Sequence, residues 1–161
     1  MILDLNNKRA DTIKAPPFNI LAGTAFMYAR RVYIIGMKSE NVEESAALTS
    51  NAFLCFNLMT WTWDVLPDTS YIHSGSCLIG PRLLTFGGLF GALPSDNIMI
   101  YSINDKKWSE GTIRWPLDVS DSKWATISEE QVLLIGGYDN ESDNESQHCY
   151  IYDGREFRET T

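Results

Sequence analysis

Three stretches decide how this chain folds: Val32-Tyr33-Ile34-Ile35-Gly36-Met37, Leu83-Leu84-Thr85-Phe86-Gly87-Gly88 and Val132-Leu133-Leu134-Ile135-Gly136-Gly137. Each is an apolar strand pattern that runs into glycine. The glycines stand 51 residues apart (Gly36 to Gly87) and 49 apart (Gly87 to Gly136). A period of this length marks a repeat architecture in which each repeat is one supersecondary unit. It specifies architecture far more closely than function, because repeat scaffolds host many unrelated functions.

The flanks repeat as well. Eleven residues before each glycine stands a small residue (Ala25, Ser76, Ala125), and nine before it an apolar one (Met27, Leu78, Ile127). Turn-like or polar residues separate the two strands of each hairpin: Ala29-Arg30, Gly80-Pro81 and Ser128-Glu129-Glu130. Small residues let a strand approach its neighbour. Glycines permit a backbone conformation closed to other residues, or close chain approach. After each glycine comes a polar loop and a third strand: Ala52–Phe56, Ile98–Tyr101 and Cys149–Tyr152. A short turn then leads to an aromatic residue and a fourth strand. Phe56 to Trp63 and Tyr101 to Trp108 are both seven residues, and Tyr152 to Phe157 is five.

Four short strands, a double glycine and a spaced aromatic pair resemble the kelch repeat. The resemblance implies an all-β fold of kelch-type β-propeller blades, each of four antiparallel strands. It covers nearly the whole chain. The second copy is closest to the family pattern, whereas the first has Gly36-Met37 for Gly-Gly and the third has a shortened turn. The repeat-defining residues are Gly36, Gly87, Gly88, Gly136, Gly137, Trp63, Trp108 and Phe157. Leu3 to Ala10 is also seven residues, so the chain is expected to begin in mid-blade, with Ala10 in the tryptophan position. The expected division is a half blade at 1–17 and blades at 18–67, 68–116 and 117–161. That count is too small to close a ring by itself. The readings are a fragment of a larger propeller, a decayed frame, or a subunit whose open ends another chain covers.

Composition narrows the function classes. A net charge of −8 disfavours a general nucleic-acid surface. No apolar run is long enough for a transmembrane helix, and no secretory signal is visible. Three widely spaced cysteines, Cys55, Cys77 and Cys149, argue against a disulfide framework and a zinc site. The expected location is cytoplasmic, with the nucleus an alternative. The two histidines, His73 and His148, come with no hydrolase, zinc-protease or phosphate-loop motif. No catalytic residue, cofactor or metal is assigned.

Strand order places the loops on two faces. The within-hairpin loops of one face collect Lys8, Arg9, Arg30, Arg31, Arg82, Lys106, Lys107 and Arg155. The other face collects Glu40, Glu43, Glu44, Asp68, Asp96, Asp118, Asp121, Asp139, Glu141, Asp143 and Glu145. Opposed charge could steer a partner, although turn chemistry alone enriches these residues in loops. Leu89-Phe90-Gly91-Ala92-Leu93-Pro94 is an apolar loop, and burial decides whether Phe90 and Leu93 are contacts. The candidate partner-binding residues are therefore Phe90, Leu93, Arg30, Arg31, Arg82, Lys106 and Lys107. Trp63 and Trp108 are expected to pack, and Trp61 and Trp115 to be exposed. The leading expectation is a non-enzymatic interaction or scaffold module that binds another protein, a further propeller segment or a large complex. The alternatives are a piece of a propeller enzyme acting on a sugar or alcohol, and a structural remnant in an assembly.

Overall fold

The structure is a computed structural model, and it describes residues 2–4, 9–39, 51–69, 71–72, 75–90, 93–116, 119–120, 122–139 and 142–160. Their regular structure is entirely β, with no helix among them. A hairpin of β1 (Ile2–Asp4) and β2 (Arg9–Asp11) opens the chain. Four antiparallel strands follow as a first meander: β3 (Asn19–Tyr28), β4 (Arg31–Ser39), β5 (Asn51–Asn57) and β6 (Thr62–Val65). Next come β7 (Tyr71–Ile72), β8 (Gly75–Ile79), β9 (Arg82–Phe86), β10 (Leu89–Phe90), β11 (Leu93–Pro94), β12 (Ile98–Ser102) and β13 (Lys107–Glu110). Strands β8, β9, β12 and β13 make the second meander, and β7, β10 and β11 a small sheet beyond its end. The last set is β14 (Val119–Ser120), β15 (Lys123–Thr126), β16 (Val132–Ile135), β17 (Tyr138–Asp139), β18 (Asn144–Glu145), β19 (Cys149–Tyr152) and β20 (Phe157–Glu159). Strands β15, β16, β19 and β20 form the third meander, with β14, β17 and β18 as its small sheet.

The aromatic spacing is a cross-strand pair. Phe56 opposes Trp63, Tyr101 opposes Trp108 and Tyr152 opposes Phe157, with ring centroids 4.7, 5.2 and 4.6 Å apart. Leu3 opposes Ala10 in the same way. The third copy tolerates its shortened turn because removing two residues leaves every side chain on its original face.

The repeated glycine answers two different demands. Gly87 and Gly88 have φ of +59° and +84°, and Gly136 and Gly137 of +55° and +122°. That left-handed backbone turns the chain out of the sheet, so that β10 pairs with β7 and β17 with β14. At Gly36 the ladder runs straight on, through Gly36 opposite Ala52 and Met37 opposite Asn51. There β3 bulges between Leu21 and Thr24 and comes close to β4. A Cβ on Gly36 would lie 2.7 Å from Gly23 Cα and 2.9 Å from the Leu21 carbonyl oxygen. Met37 can replace the second glycine because no left-handed turn is made there.

One offset fails in the third copy. Ala25 opposes Ile34 and Ser76 opposes Thr85, each two residues before its glycine. The residue opposite Leu134 is Trp124, not the small Ala125. The first two hairpins turn in two residues, whereas the third uses five, 127–131, which displaces β15 by one position. Trp124 then lies over Gly75 of the neighbouring meander, where a Cβ would fall on its indole nitrogen.

The meanders stack face on face. Tyr33, Ile35, Phe53 and Cys55 of the first pack against Leu83 and Tyr101 of the second, with Trp108 at the edge. Cys77, Leu84, Phe86 and Ile98, on the second sheet's other face, pack with Val132, Leu134 and Tyr152 of the third. The second sheet therefore reads as near-continuous apolar strands, because both faces are covered.

A tryptophan on the fourth strand ties each of the first two sheets to the segment before it. The Trp63 indole N–H donates to the Lys14 carbonyl at 2.8 Å, and that of Trp108 to the Pro67 carbonyl at 2.5 Å. The Phe157 side chain has no N–H to donate. Trp108→Phe is expected to lose about 1 kcal/mol, the net worth of one hydrogen bond, while keeping the ring packing. Trp108→Ala loses the ring as well. Urea midpoints that coincide for the two variants would contradict this division.

Burial also sets an alkaline limit. Desolvation, then the neighbouring Cys55, pushes the Tyr33 phenol up to about 12. Desolvation likewise raises Tyr101, Tyr152 and, strongly, the Cys77 thiol. An acid raised on folding favours the folded state below its unfolded pKa, about 10 for tyrosine. For Tyr33 that stability is lost as the pH climbs from about 10 through about 12. The unfolding midpoint should fall across this window, and less steeply in Tyr33→Phe. Equal slopes would remove Tyr33 as the cause.

Candidate interaction surfaces

The turns between the first and second and between the third and fourth strands of each meander gather at one end. Arg30 follows Ala29 in a two-residue turn with φ of +60° and +47°, the twist that closes a hairpin. Arg31 reaches Asp64 at 3.6 Å and the Cys55 sulfur at 3.9 Å. Lys106 has φ +56° in a turn held by its N–H on the Ser102 carbonyl, and Lys107 opens β13. Arg82 opens β9, and Arg155 lies in the turn after β19. The same turns carry Asp105, Glu129, Glu130, Asp153 and Glu156, so this end mixes both signs. The amide N–H groups of Glu156 and Arg155, followed by the Arg158 charge, hold the Asp153 carboxyl below its usual range. Arg9 is described only as backbone, and Lys8 lies outside the described residues. A cavity of about 830 Å³ opens at this end between β3, β8 and β15, lined by Tyr28, Leu78, Arg82 and Glu130 among others.

The opposite end carries the small sheets. Of the expected acidic set, Asp68, Asp96, Asp139, Asp143 and Glu145 are described, while Glu40, Glu43, Glu44, Asp118, Asp121 and Glu141 are not. Phe90 and Leu93 are directly opposed across β10 and β11, which puts them on one face. They are 56% and 71% exposed, and the Tyr71 ring lies 5.5 Å from that of Phe90. The Asn51 amide fixes the approach to β7 by donating to the Thr69 carbonyl at 2.8 Å and to the Tyr71 carbonyl. The Asn97 amide donates to the Tyr71 hydroxyl. Phe90 and Leu93 thus do not fold back over the sheet; they stand out from a braced small sheet.

Trp61 is 46% exposed, as expected. Trp115 is not: it is 3% exposed. Its backbone N–H donates to the Asp96 carbonyl at 2.7 Å, which lays the connection across the gap between the second and third sheets. There its ring meets Phe157 at 5.0 Å and Tyr150 at 5.6 Å. His148 contacts the Glu159 carboxylate at 2.5 Å, both side chains about half exposed. His73 lies outside the described residues. Among the described residues no group of three His, Cys, Asp or Glu side chains is arranged to hold a metal, and no helix is long and apolar enough to cross a membrane.

The outer face of the third sheet escaped the sequence reading. Lys123, Ala125, Leu133, Ile135, Cys149 and Ile151 face away from the second sheet, by alternation from Leu134 and Tyr152. Ile135 is 45% exposed and Cys149 is a half-buried free thiol. Only the repeat register, taken with the number of sheets, singles this face out. No protein-family model matches the chain, and no curated protein matches it.

Proposed function

We propose that this chain is a non-catalytic, kelch-type propeller module that binds another protein. The propeller reading is supported by three meanders of one strand order stacked face on face, with β8 lying beside both β3 and β15. The binding reading is carried by one observation: Phe90 and Leu93, exposed side by side on a braced small sheet. Paired apolar side chains on a supported loop are what a protein contact uses, and aromatic residues dominate such contacts.

A photoreactive phenylalanine at position 90, introduced in the cells that make the protein, should cross-link to one specific protein. Leu93→Glu should abolish that product without shifting the thermal midpoint, because Leu93 is exposed. Cross-linking that is absent, or that survives Leu93→Glu, would sink the reading.

A further inference from the structure

A groove of about 390 Å³ lies between the second and third meanders, beside β12 and the turn after β19. Ile98, Ile100 and Ile113 give it an apolar wall, and the exposed Arg82 and Arg155 border it. The two arginines come from different sheets. Arg82 opens β9, yet a Cβ on Gly154 would lie 3.7 Å from its Nη2. Its guanidinium therefore reaches across to the turn of the third sheet that carries Arg155. Tyr152, only 3% exposed, also lines the groove. Desolvation raises its phenol, and the Arg82 charge is close enough to oppose that rise.

The acids of this neighbourhood are already engaged. Glu110, on the groove, holds Arg114 at 2.8 Å. Asp153 accepts the backbone N–H groups of Arg155 and Glu156 at 3.0 and 3.1 Å and the Arg158 guanidinium at 3.2 Å. Glu156 faces Arg158 as well, at 3.8 Å. Arg82 also borders the larger cavity at this end, where Glu129 and Glu130 line the wall without pairing with it. Among the described residues neither the Arg82 nor the Arg155 side chain makes an ion pair or a hydrogen bond, and neither does the Tyr152 hydroxyl. In a chain of net charge −8, two unpaired guanidiniums on one groove reverse the sign locally.

We infer that this groove binds a phosphate monoester. The planar fork of arginine matches the oxygens of a phosphate two at a time. Two such forks balance the two charges of a monoester, which a carboxylate does not carry. The isoleucine wall takes the apolar body of the ester, and the volume is that of a small-ligand pocket. The site shares no residue with Phe90 and Leu93, and it stands or falls apart from the interaction-module reading.

The test is calorimetric titration of the full chain with phenyl phosphate. Binding should saturate at one site. Arg82→Gln and Arg155→Gln should each weaken it about tenfold or more, the loss of charge-assisted hydrogen bonds. Both arginines are exposed, so the thermal midpoints should match that of the wild-type chain. Arg30→Gln removes the same charge from the same end but off the groove, and should leave the affinity unchanged. Because the second phosphate pKa is about 6, the affinity should rise about tenfold from about pH 5 to about pH 7. Benzoate, already ionised across that range, should bind more weakly and show no such rise. Phe90→Ser should bind phenyl phosphate like the wild type. A short phosphotyrosyl peptide separates the sources of the ligand: binding like that of phenyl phosphate assigns the groove to a modified protein side chain, and exclusion of the peptide while phenyl phosphate binds assigns it to a free ester. The inference is overturned if either arginine variant binds as the wild type does, if Arg30→Gln weakens binding equally, or if benzoate matches phenyl phosphate at pH 7.

Discussion

Phe86→Ala should lower the stability of the chain by about 3–5 kcal/mol, the range for emptying a buried phenylalanine site. Phe86 is 1% exposed, and its ring joins two sheets. It stacks on Trp124 at 3.8 Å and meets Tyr152, Phe157 and Trp115 edge-on at 5.7, 6.0 and 6.2 Å. Alanine leaves a hole that these rings cannot fill without moving a strand, because Trp124 is held against Gly75 and Phe157 against Trp115. With a urea slope of about 2 kcal/mol per molar, the midpoint should fall by about 2 M. Met27→Ala is the internal control. Met27 is 71% exposed, so its removal should stay within about 0.5 kcal/mol. If the two variants shift the midpoint equally, Phe86 is not the joint between the sheets.

That joint was only half legible. Phe86 lies one residue before the repeated glycine, so strand and register could be read from the pattern. Its partner Trp124 could not. Ile127 continues the apolar alternation of β15, which hides the longer turn and makes Ala125 look like the match of Ser76. The aromatic pairs were legible because their spacing is a property of one hairpin. Trp115 was not, because its burial depends on two sheets meeting across a connection. The same limit applies to the surfaces. Arg30 and Lys106 were placed by turn chemistry, and their φ values bear that out. The acids that share their end, Asp105 and Glu129 among them, follow from the same turns, so charge by strand order overstated the contrast between the ends. Whether Phe90 and Leu93 are exposed is a matter of tertiary packing, and so is the exposure of Ile135.

Gly36 and Gly136 occupy the same place in the repeat, yet alanine and asparagine should rank in opposite order at the two sites. At Gly136 the demand is conformational. Its φ is +55°, and an added Cβ would meet only the Ser146 carbonyl oxygen, at 3.0 Å. Asparagine enters the left-handed region more readily than alanine, so Gly136→Asn should be the milder change. At Gly36 the demand is space. A Cβ there would lie 2.7 Å from both Gly23 Cα and Ile20 Cγ2 and 2.9 Å from the Leu21 carbonyl oxygen, and two of these three atoms are backbone. The bulged β3 must then move off β4, and each added atom makes it worse. Overpacking of this kind costs about 1–3 kcal/mol. Gly36→Ala should therefore lower the thermal midpoint by several degrees, at about 2–4 °C per kcal/mol for a chain of this size, and Gly36→Asn by more. Gly23→Ala, whose nearest contact would be Ile20 Cγ2 at 3.0 Å, should be milder than Gly36→Ala because a side-chain methyl can yield where backbone cannot. Calorimetry on the five variants decides the matter: if asparagine outranks alanine at both sites, Gly36 is under the same backbone demand as Gly136 and the close approach of the β3 bulge to β4 is wrong.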